Sequence, residues 1–582
     1  MRYGGGGGVV AGCPASPARS AIASGQENGA GRGGLQARGI CVTVAKDRFL
    51  LEDISFDARP GTLTAVIGPS GAGKSTLARV LAGETRPRRG AVRFNGHDVH
   101  GEFAAFRSRI GMVPQDDVIH GQLTVNQALG YAAQLRMPRS DRQDRQRVIA
   151  GVLDELRLTQ HADTRIDTLS GGQRKRASIA LELLTDPELL ILDEPTTGLD
   201  PVLDQQVMRM LRRLADTGRV VVVVTHSLAN LDLCDQLLLL APGGKTAFCG
   251  PPGDLGPAMG GTDWADIFTD IRADPDAALA RFRQRAAASG LEPLPPRPAM
   301  PLRAAAVPAL VDRCRQVRTV ARRQVALLSA NRGYRWLLVL LPFVVGLLPL
   351  TVPGHTGFGH PPFDGPAPLE PRQLITMMNF AAVLMGTTLT ARELVGERSI
   401  FRREQAAGLS GSAYLLGKAA VLGSVALAQA TVLVLVVTAP VIGKPAPSSA
   451  AALGRPMIEL FGAVGLTCVA AAASGLAMSA TVRTSDQVIV WLAGTLTAQF
   501  VLAGGTIEVT GRPLLDPISW FAPARWGFAA PAATVDLTNL VEIAHDAHWQ
   551  HTASAWLFNI AMLTALVVGY TGFARWTIRL GR

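Results

Sequence analysis

The run Gly68-Pro69-Ser70-Gly71-Ala72-Gly73-Lys74-Ser75-Thr76 constrains this chain more than any other feature. It matches G-x-x-x-x-G-K-[ST], and it lies between an apolar stretch, Leu63 to Ile67, and a helical pattern opening at Lys74. Glycines at that spacing let successive backbone N–H groups turn inward on a phosphate, and the helix N-terminus adds partial positive charge. Lys74 is placed to reach the β- and γ-phosphates and the Ser75 hydroxyl to ligate Mg²⁺. Such a loop demands a strand–turn–helix unit at the edge of a parallel sheet. Alone it specifies only nucleotide phosphate.

A second motif, Leu169-Ser170-Gly171-Gly172-Gln173, narrows the choice. In this order the pair resembles the ATP-binding cassette (ABC) ATPases, with ATP and Mg²⁺ as cofactors. The remaining cassette elements follow in sequence. Leu189 to Leu192 is an apolar strand ending in Asp193-Glu194, as a Walker B element does. Asp193 would hold Mg²⁺, directly or through water, and Glu194 would polarise or deprotonate the attacking water. Val220 to Val224, five β-branched residues, fit a strand buried on both faces. His226 beyond it stands where the family carries a switch histidine. Gln115 resembles the Q-loop residue that couples Mg²⁺ and water to the membrane domain, and Asp200 in Gly198-Leu199-Asp200 resembles the D-loop. Taken singly each is bland, because a carboxylate pair or a His after an apolar run is usually a strand's exit to solvent. Their shared order and spacing separates them from chance. One element lacks a match: upstream of the P-loop only Phe49 could stack on adenine, and it reads equally as core.

With 582 residues, mean hydropathy +0.22 and net charge +11, the chain implies several domains and more apolar surface than a soluble protein carries. No zinc-finger, basic-zipper or aromatic–basic stripe appears, so the charge does not indicate nucleic acid. Six cysteines without C-x-x-C spacing imply no disulfide framework. Residues 1–38 read as a disordered Gly/Ala-rich leader without a signal peptide, 39–255 as the cassette, 256–310 as a linker rich in proline from Pro293 to Pro308, and 311–333 as a basic amphipathic helix on the inner membrane surface or, alternatively, in solvent. Leu123 to Leu158 reads as the helical arm that carries the signature.

A bilayer core of roughly 30 Å requires about 20 apolar helical residues. Six stretches within 334–582 qualify, at about 335–352, 374–395, 418–441, 457–481, 487–507 and 554–574. Pro342 and Pro349 mark the first as kinked or tilted. Arg392, Arg398, Arg402, Arg403 and Lys418 lie between spans two and three, and Arg575, Arg579 and Arg582 in the tail. By the positive-inside rule those segments, both termini and the cassette face the cytoplasm. Asn379, Gln429, Gln499 and Asn559 are polar residues inside spans that bond between helices or line a cavity. Trp520 to Trp526 reads as an interfacial or re-entrant piece.

Cassette first, six spans after, and a long segment between spans five and six resembles the G subfamily of ABC transporters. The resemblance implies an α/β P-loop ATPase cassette followed by an all-α six-helix membrane domain of the type-2 exporter kind. The fit is best with actinobacterial cassette–membrane fusions, which often carry an N-terminal forkhead-associated domain; the leader here is too short for one. Phe401, Arg402 and Glu404 fall in the segment that in this family couples cassette to membrane. The resemblance further implies a composite ATP site shared with a second copy or a related half-transporter, with Lys74, Glu194 and His226 facing Ser170 and Gly172 of the partner. It implies an exporter in a bacterial cell membrane, and the apolar, weakly polar spans suit an amphipathic, lipid-like or drug-like cargo. A membrane-tethered regulatory ATPase and an importer are the other classes the sequence allows. The intact Glu194 weighs against the first, and fusion of cassette to spans against the second.

Overall fold

A computed structural model describes residues 33–580 except 46–47, 262, 289–309, 362–364 and 542–545. The expected leader and the Pro293 to Pro308 stretch lie outside the described residues.

Short apolar runs bounded by turns give the strands of the cassette. In chain order these are β1 (Leu35–Ala45), β2 (Arg48–Ala58), β3 (Leu63–Ile67), β4 (Arg89–Phe94), β5 (His97–Asp98), β6 (Ile110–Val113), β7 (Leu189–Asp193), β8 (Val220–Val224), β9 (Gln236–Ala241) and β10 (Lys245–Gly250). They form an antiparallel sheet in the order β2-β1-β4-β5 and a second sheet in the order β10-β9-β3-β8-β7-β6. In the second sheet all neighbours are parallel except β10 on β9. Its central strands are buried on both faces, and their residues alternate between two cores. Val221 and Val223 pack with the helical side, while Val220, Val222 and Val224 pack toward the antiparallel sheet. This is why these strands read as unbroken apolar runs. Parallel order carries the segments after β3, β6, β7 and β8 to one edge of the sheet.

The cassette helices used below are α1 (Lys74–Leu81), α2 (Val125–Arg136), α3 (Arg142–Glu155), α4 (Gly171–Leu183) and α5 (Pro201–Asp216). Thr124 and Gln127 form a capping box that starts α2, and Asp141 caps α3, so the predicted helical arm consists of two helices. The first described strand starts at Leu35, ahead of the expected boundary at 39. It also continues past 255: helices Trp264–Ala273 and Pro275–Ala288 place Ile267, Ile271 and Ala278 in the cassette core. Ile267 and Ile271, one turn apart, supply an apolar face too narrow to stand out in a sequence.

The membrane part comprises α6 (Leu310–Ala330), α7 (Arg332–Leu350), α8 (Glu370–Thr390), α9 (Arg398–Ala406), α10 (Gly411–Val437), α11 (Pro456–Thr481), α12 (Gln487–Leu502), α13 (Pro523–Thr534) and α14 (Ala553–Leu580). Among the described residues five helices (α7, α8, α10, α11 and α14) are long and apolar enough to cross a bilayer. The stretch expected over 487–507 is helical only from Gln487 to Leu502, shorter than the others. The chain leaves it at Gly504, where φ is +85°, and at Gly505, where a Cβ would lie 2.5 Å from both the Phe528 ring and Thr376 Oγ1. Arg372 Nε donates to the Gly505 carbonyl at 2.9 Å.

Small residues let α8 and α11 meet closely. A Cβ on Gly386 would lie 2.2 Å from the Cys468 carbonyl, and Thr390 Oγ1 donates to the Ala472 carbonyl at 2.8 Å. α13 is buried along its whole length, while Trp520 and Phe521 just ahead of it are exposed. Arg525, 1% exposed, pairs there with Asp546 at 2.6 Å. Asn379 donates to the Ala524 carbonyl and Gln499 accepts from the Ala524 N–H, each at 2.9 Å. Asn559 donates to the His548 carbonyl and Gln429 to that of Leu338, also at 2.9 Å. All four intramembrane amides therefore bond to the backbone of neighbouring segments. The five described cysteines are unpaired.

Candidate functional site: a phosphate edge wired to the membrane helices

Four segments converge at the carboxyl edge of the parallel sheet. The P-loop follows β3 and requires left-handed glycines, with φ +80° at Gly71 and +87° at Gly73. At Gly73 a Cβ would lie 2.4 Å from the Leu50 carbonyl, so no other residue fits. Pro69 and Ala72 are buried, and Ser70 and Gly71 are exposed at the tip. Lys74, the first residue of α1, extends beneath the loop, its Nζ donating to the carbonyls of Gly68 at 2.8 Å and Pro69 at 3.1 Å. Burial pulls its pKa down, against the pull of Glu194 and Asp193. Thr76 follows on the same turn, partly buried. Ser75 Oγ donates to Asp193 Oδ1 at 3.0 Å. Burial raises the pKa of Asp193, and the Ser75 hydroxyl opposes it. A hydroxyl and a carboxylate at that separation make the hard oxygen pair a divalent cation such as Mg²⁺ selects, so these residues fit the expected ion.

Glu194 stands in the left-handed region at φ +48°, unusual for a residue with a side chain. Its N–H donates to the Val224 carbonyl at 2.9 Å, which pins that turn to the end of β8. The carboxylate accepts from Gln115 Nε2 at 3.0 Å and Thr197 Oγ1 at 2.9 Å, and the His226 ring lies at 3.7 Å. Glu194, Gln115 and His226, read from three separate motifs, therefore form one cluster. Replacing Lys74 with Ala should weaken nucleotide binding itself, because an ammonium beneath the P-loop is lost. Equilibrium binding of a fluorescent ATP analogue to the purified protein measures this, and unchanged affinity would remove Lys74 from the phosphate site.

The signature motif is elsewhere. Leu169 is buried, Ser170 N-caps α4, and its Oγ and the Gln173 side chain form a capping box. Gln173 also bonds to His161 at 3.0 Å. Ser170 and Gly171 are exposed while Gly172 packs near Leu203. Among the described residues no hydrogen bond or ion pair links this motif to the P-loop of the same chain. Asp200 caps α5 through the N–H groups of Val202 and Leu203. Phe49 is 44% exposed and so not core.

The sequence points to Gln115 and to the segment Phe401 to Glu404 for the connection to the membrane helices, but not to the residues that make it. Lys175, 4% exposed, donates to the Gln115 carbonyl at 2.8 Å and pairs with Asp117 at 3.2 Å. Two turns along α4, Glu182 accepts both arms of Arg136, at 2.8 and 2.9 Å. Arg403 of α9 enters the same pocket. Its Nε donates to Glu182 at 2.7 Å, and its other nitrogens donate to the carbonyls of Val118 at 3.0 Å and Ser178 at 2.8 Å. Burial drives the Glu182 carboxyl upward, but Arg136 and Arg403 outweigh it and hold it at about 2.

The neighbouring residues singled out in the sequence take other parts. Phe401 stacks on Tyr414, ring centroids 4.5 Å apart. Glu404 pairs with Arg323 of α6. Arg402 is exposed. Behind them Lys418 binds Glu393 at 2.6 Å and Glu397 at 3.0 Å. One face of α6 packs against the cassette and the membrane helices. Thr319 bonds to Gln134 of the cassette, Gln324 to Glu393 at 2.9 Å, and Arg323 is 3% exposed, although Arg313, Arg318 and Arg322 remain exposed. A run of charges in a helix reads as solvated; only the tertiary fold reveals which of them are paired inside.

Comparison with known proteins agrees with this geometry. Residues 51–197 match the family model described as ABC transporter, and residues 315–534 the model described as ABC-2 type transporter. The chain is 57% identical over 553 residues to an ABC transporter ATP-binding/permease protein of Mycobacterium tuberculosis, covering 94% of this chain and 63% of that one. It thus spans less than two thirds of that relative's length. It is 34% identical to the Nod factor export ATP-binding protein I of Ralstonia nicotianae, over 42% of this chain and 75% of that one. The rat broad substrate specificity ATP-binding cassette transporter of the G type is 40% identical over 37% of this chain and 33% of its own. With an ATP-binding cassette ahead of a type-2 membrane domain, this chain belongs to the ABC transporter family.

Proposed function

We propose that the protein is a half-transporter that hydrolyses ATP to export an amphipathic or lipid-like substrate, and that it works as a homodimer. The observation that carries this reading is the division of the cassette into two surfaces. One gathers Lys74, Ser75, Asp193, Gln115, Glu194 and His226; the other exposes Ser170 and Gly171 at the N-terminus of α4. That N-terminus carries partial positive charge suited to a phosphate brought by another copy.

In the mechanism, backbone N–H groups of residues 69–76 and the Lys74 ammonium hold the β- and γ-phosphates. Ser75 and Asp193 would hold Mg²⁺, which neutralises phosphate charge when bound. Glu194 takes the proton of the attacking water, oriented for that by Gln115 and Thr197, and His226 contacts the γ-phosphate from the opposite side. ATP closes the cassette pair and hydrolysis reopens it, each state biasing the membrane helices toward one side. From Gln115 the movement passes through Lys175 and α4 to Glu182, and from there into α9 through Arg403. Orientation follows the arginine-rich segments, which place the cassette and α9 in the cytoplasm.

Mixed dimers test the shared site. Lys74→Ala in one copy and Ser170→Arg in the other put both lesions in one composite site and none in the other. Crosslinked mixed dimers should recover ATP turnover that neither variant shows alone, and in inside-out vesicles they should accumulate amphiphile. Inactive mixed dimers beside active wild-type dimers, or an active monomer, would overturn the shared-site reading.

A further inference from the structure

Helix α7 carries Pro342 in its interior. Proline has no N–H, so the carbonyl four residues earlier, that of Leu338, lacks its helical donor. Gln429 of α10 supplies a replacement, Nε2 donating to that carbonyl at 2.9 Å. The carbonyl accepts only, which settles which end of the amide faces it. The other end, Oε1, is buried without a partner among the described residues, on a side chain 3% exposed.

Gln429 lines a groove of about 550 Å³ between α7, α10 and the end of α6, walled mainly by apolar side chains such as Phe343, Val425 and Val432. From Val421 to Val432 the wall rises about 16 Å along the helix, roughly half of a 30 Å hydrocarbon core and so one leaflet. A water there would find one acceptor where it needs two to four partners. At the end where α6 meets α7 the groove is basic: Arg335 lines it and donates to the Ser329 carbonyl at 3.3 Å. Arg322 and Arg332 are exposed on the same two helices.

We propose that this groove is a binding site for a single-chain anionic amphiphile of the cytoplasmic leaflet. Its chain lies against Phe343, Val425 and Val432 and its charge beside Arg335. A hydroxyl or amide N–H next to its head group donates to Gln429 Oε1. The site is separate from the nucleotide edge and rests on the membrane orientation proposed above.

Full-length protein in phosphatidylcholine nanodiscs, titrated with three lipids and read by native mass spectrometry, tests it. Lysophosphatidylglycerol offers both the charge and a hydroxyl beside the chain. Lysophosphatidylcholine keeps that hydroxyl without net charge, and diacyl phosphatidylglycerol keeps the charge with that hydroxyl esterified. Lysophosphatidylglycerol should bind tightest. Arg335→Ala, at an exposed position, should weaken it about five-fold and leave lysophosphatidylcholine unchanged. Gln429→Leu should erase about two- to ten-fold of the preference over the diacyl lipid. Val425→Trp should abolish binding, with a thermal melt confirming the fold. Equal binding of the three lipids, or wild-type binding by folded Val425→Trp, overturns the proposal. ATP turnover in the same discs reads the nucleotide edge. Turnover without lipid binding sinks the groove alone, and binding without turnover sinks the transport reading alone.

Discussion

Glu194→Gln should stop ATP turnover while leaving ATP binding in place, because Gln keeps the shape and the bonding to Thr197 but cannot take a proton. Loss of one general base costs about 10²–10⁴ in rate. Phosphate contacts through Lys74 and Ser75 are untouched, so affinity should stay near wild type. The left-handed turn at Glu194, held by the Val224 carbonyl, is a backbone feature that the amide preserves. Steady-state phosphate release set against nucleotide binding on the same purified protein separates these effects. Turnover within a few-fold of wild type would remove Glu194 from the role of base.

The second large effect is expected at Glu182. Glu182→Ala leaves Arg136 and Arg403 facing each other in a buried pocket, and breaking a buried pair in this way typically costs about 3–5 kcal/mol. The melting midpoint should fall, and residual ATP turnover should no longer respond to transport substrate. Arg403→Ala is milder for stability, since Glu182 keeps both arms of Arg136, yet it removes the bonds to Val118 and Ser178. It should uncouple hydrolysis from transport more than it destabilises. Acid provides an independent check. The folded Glu182 titrates near 2, against an ordinary value of 4.5, so its contribution, roughly 3 kcal/mol, is complete above about pH 4.5. It is lost as pH falls toward 2. The wild-type melting midpoint should therefore drop over that range, and Glu182→Gln should flatten this part of the curve. A wild-type midpoint indifferent to pH there would show that the three charges are not coupled as drawn.

The nucleotide edge was legible because phosphate chemistry needs neighbouring residues: a loop of contiguous backbone N–H groups, or two carboxylates at one strand end. Periodicity revealed β8 because five valines suit no other environment so well. The interface was not legible, since Arg136, Glu182 and Arg403 come from three distant segments and each sits in a helix where a charge reads as solvated. A basic loop does not show that Arg403, rather than Arg402, enters the cassette. Glu404 was seen as a coupling residue, but its partner Arg323 lies in α6, a helix expected on the membrane surface. The short α12 was overestimated because apolar composition continues past Leu502 while the backbone turns at Gly504. Phe49 was ambiguous in sequence because burial of an edge-strand aromatic depends on what covers it.

The cassette holds two helices of the membrane part at once, α9 through Arg403 and α6 through the Thr319–Gln134 bond, and the Glu404–Arg323 pair ties those two helices to each other. Clamped to each other and to the cassette, the two helices form one rigid handle, so a swinging cassette would turn the base of the membrane helices as a unit. α6 continues through Asn331 into α7, and α7 is the helix with a proline-weakened ladder at Leu338. Twist applied below that point would therefore be absorbed by bending there first, and α10, joined to it by the Gln429 amide, would be drawn along with it.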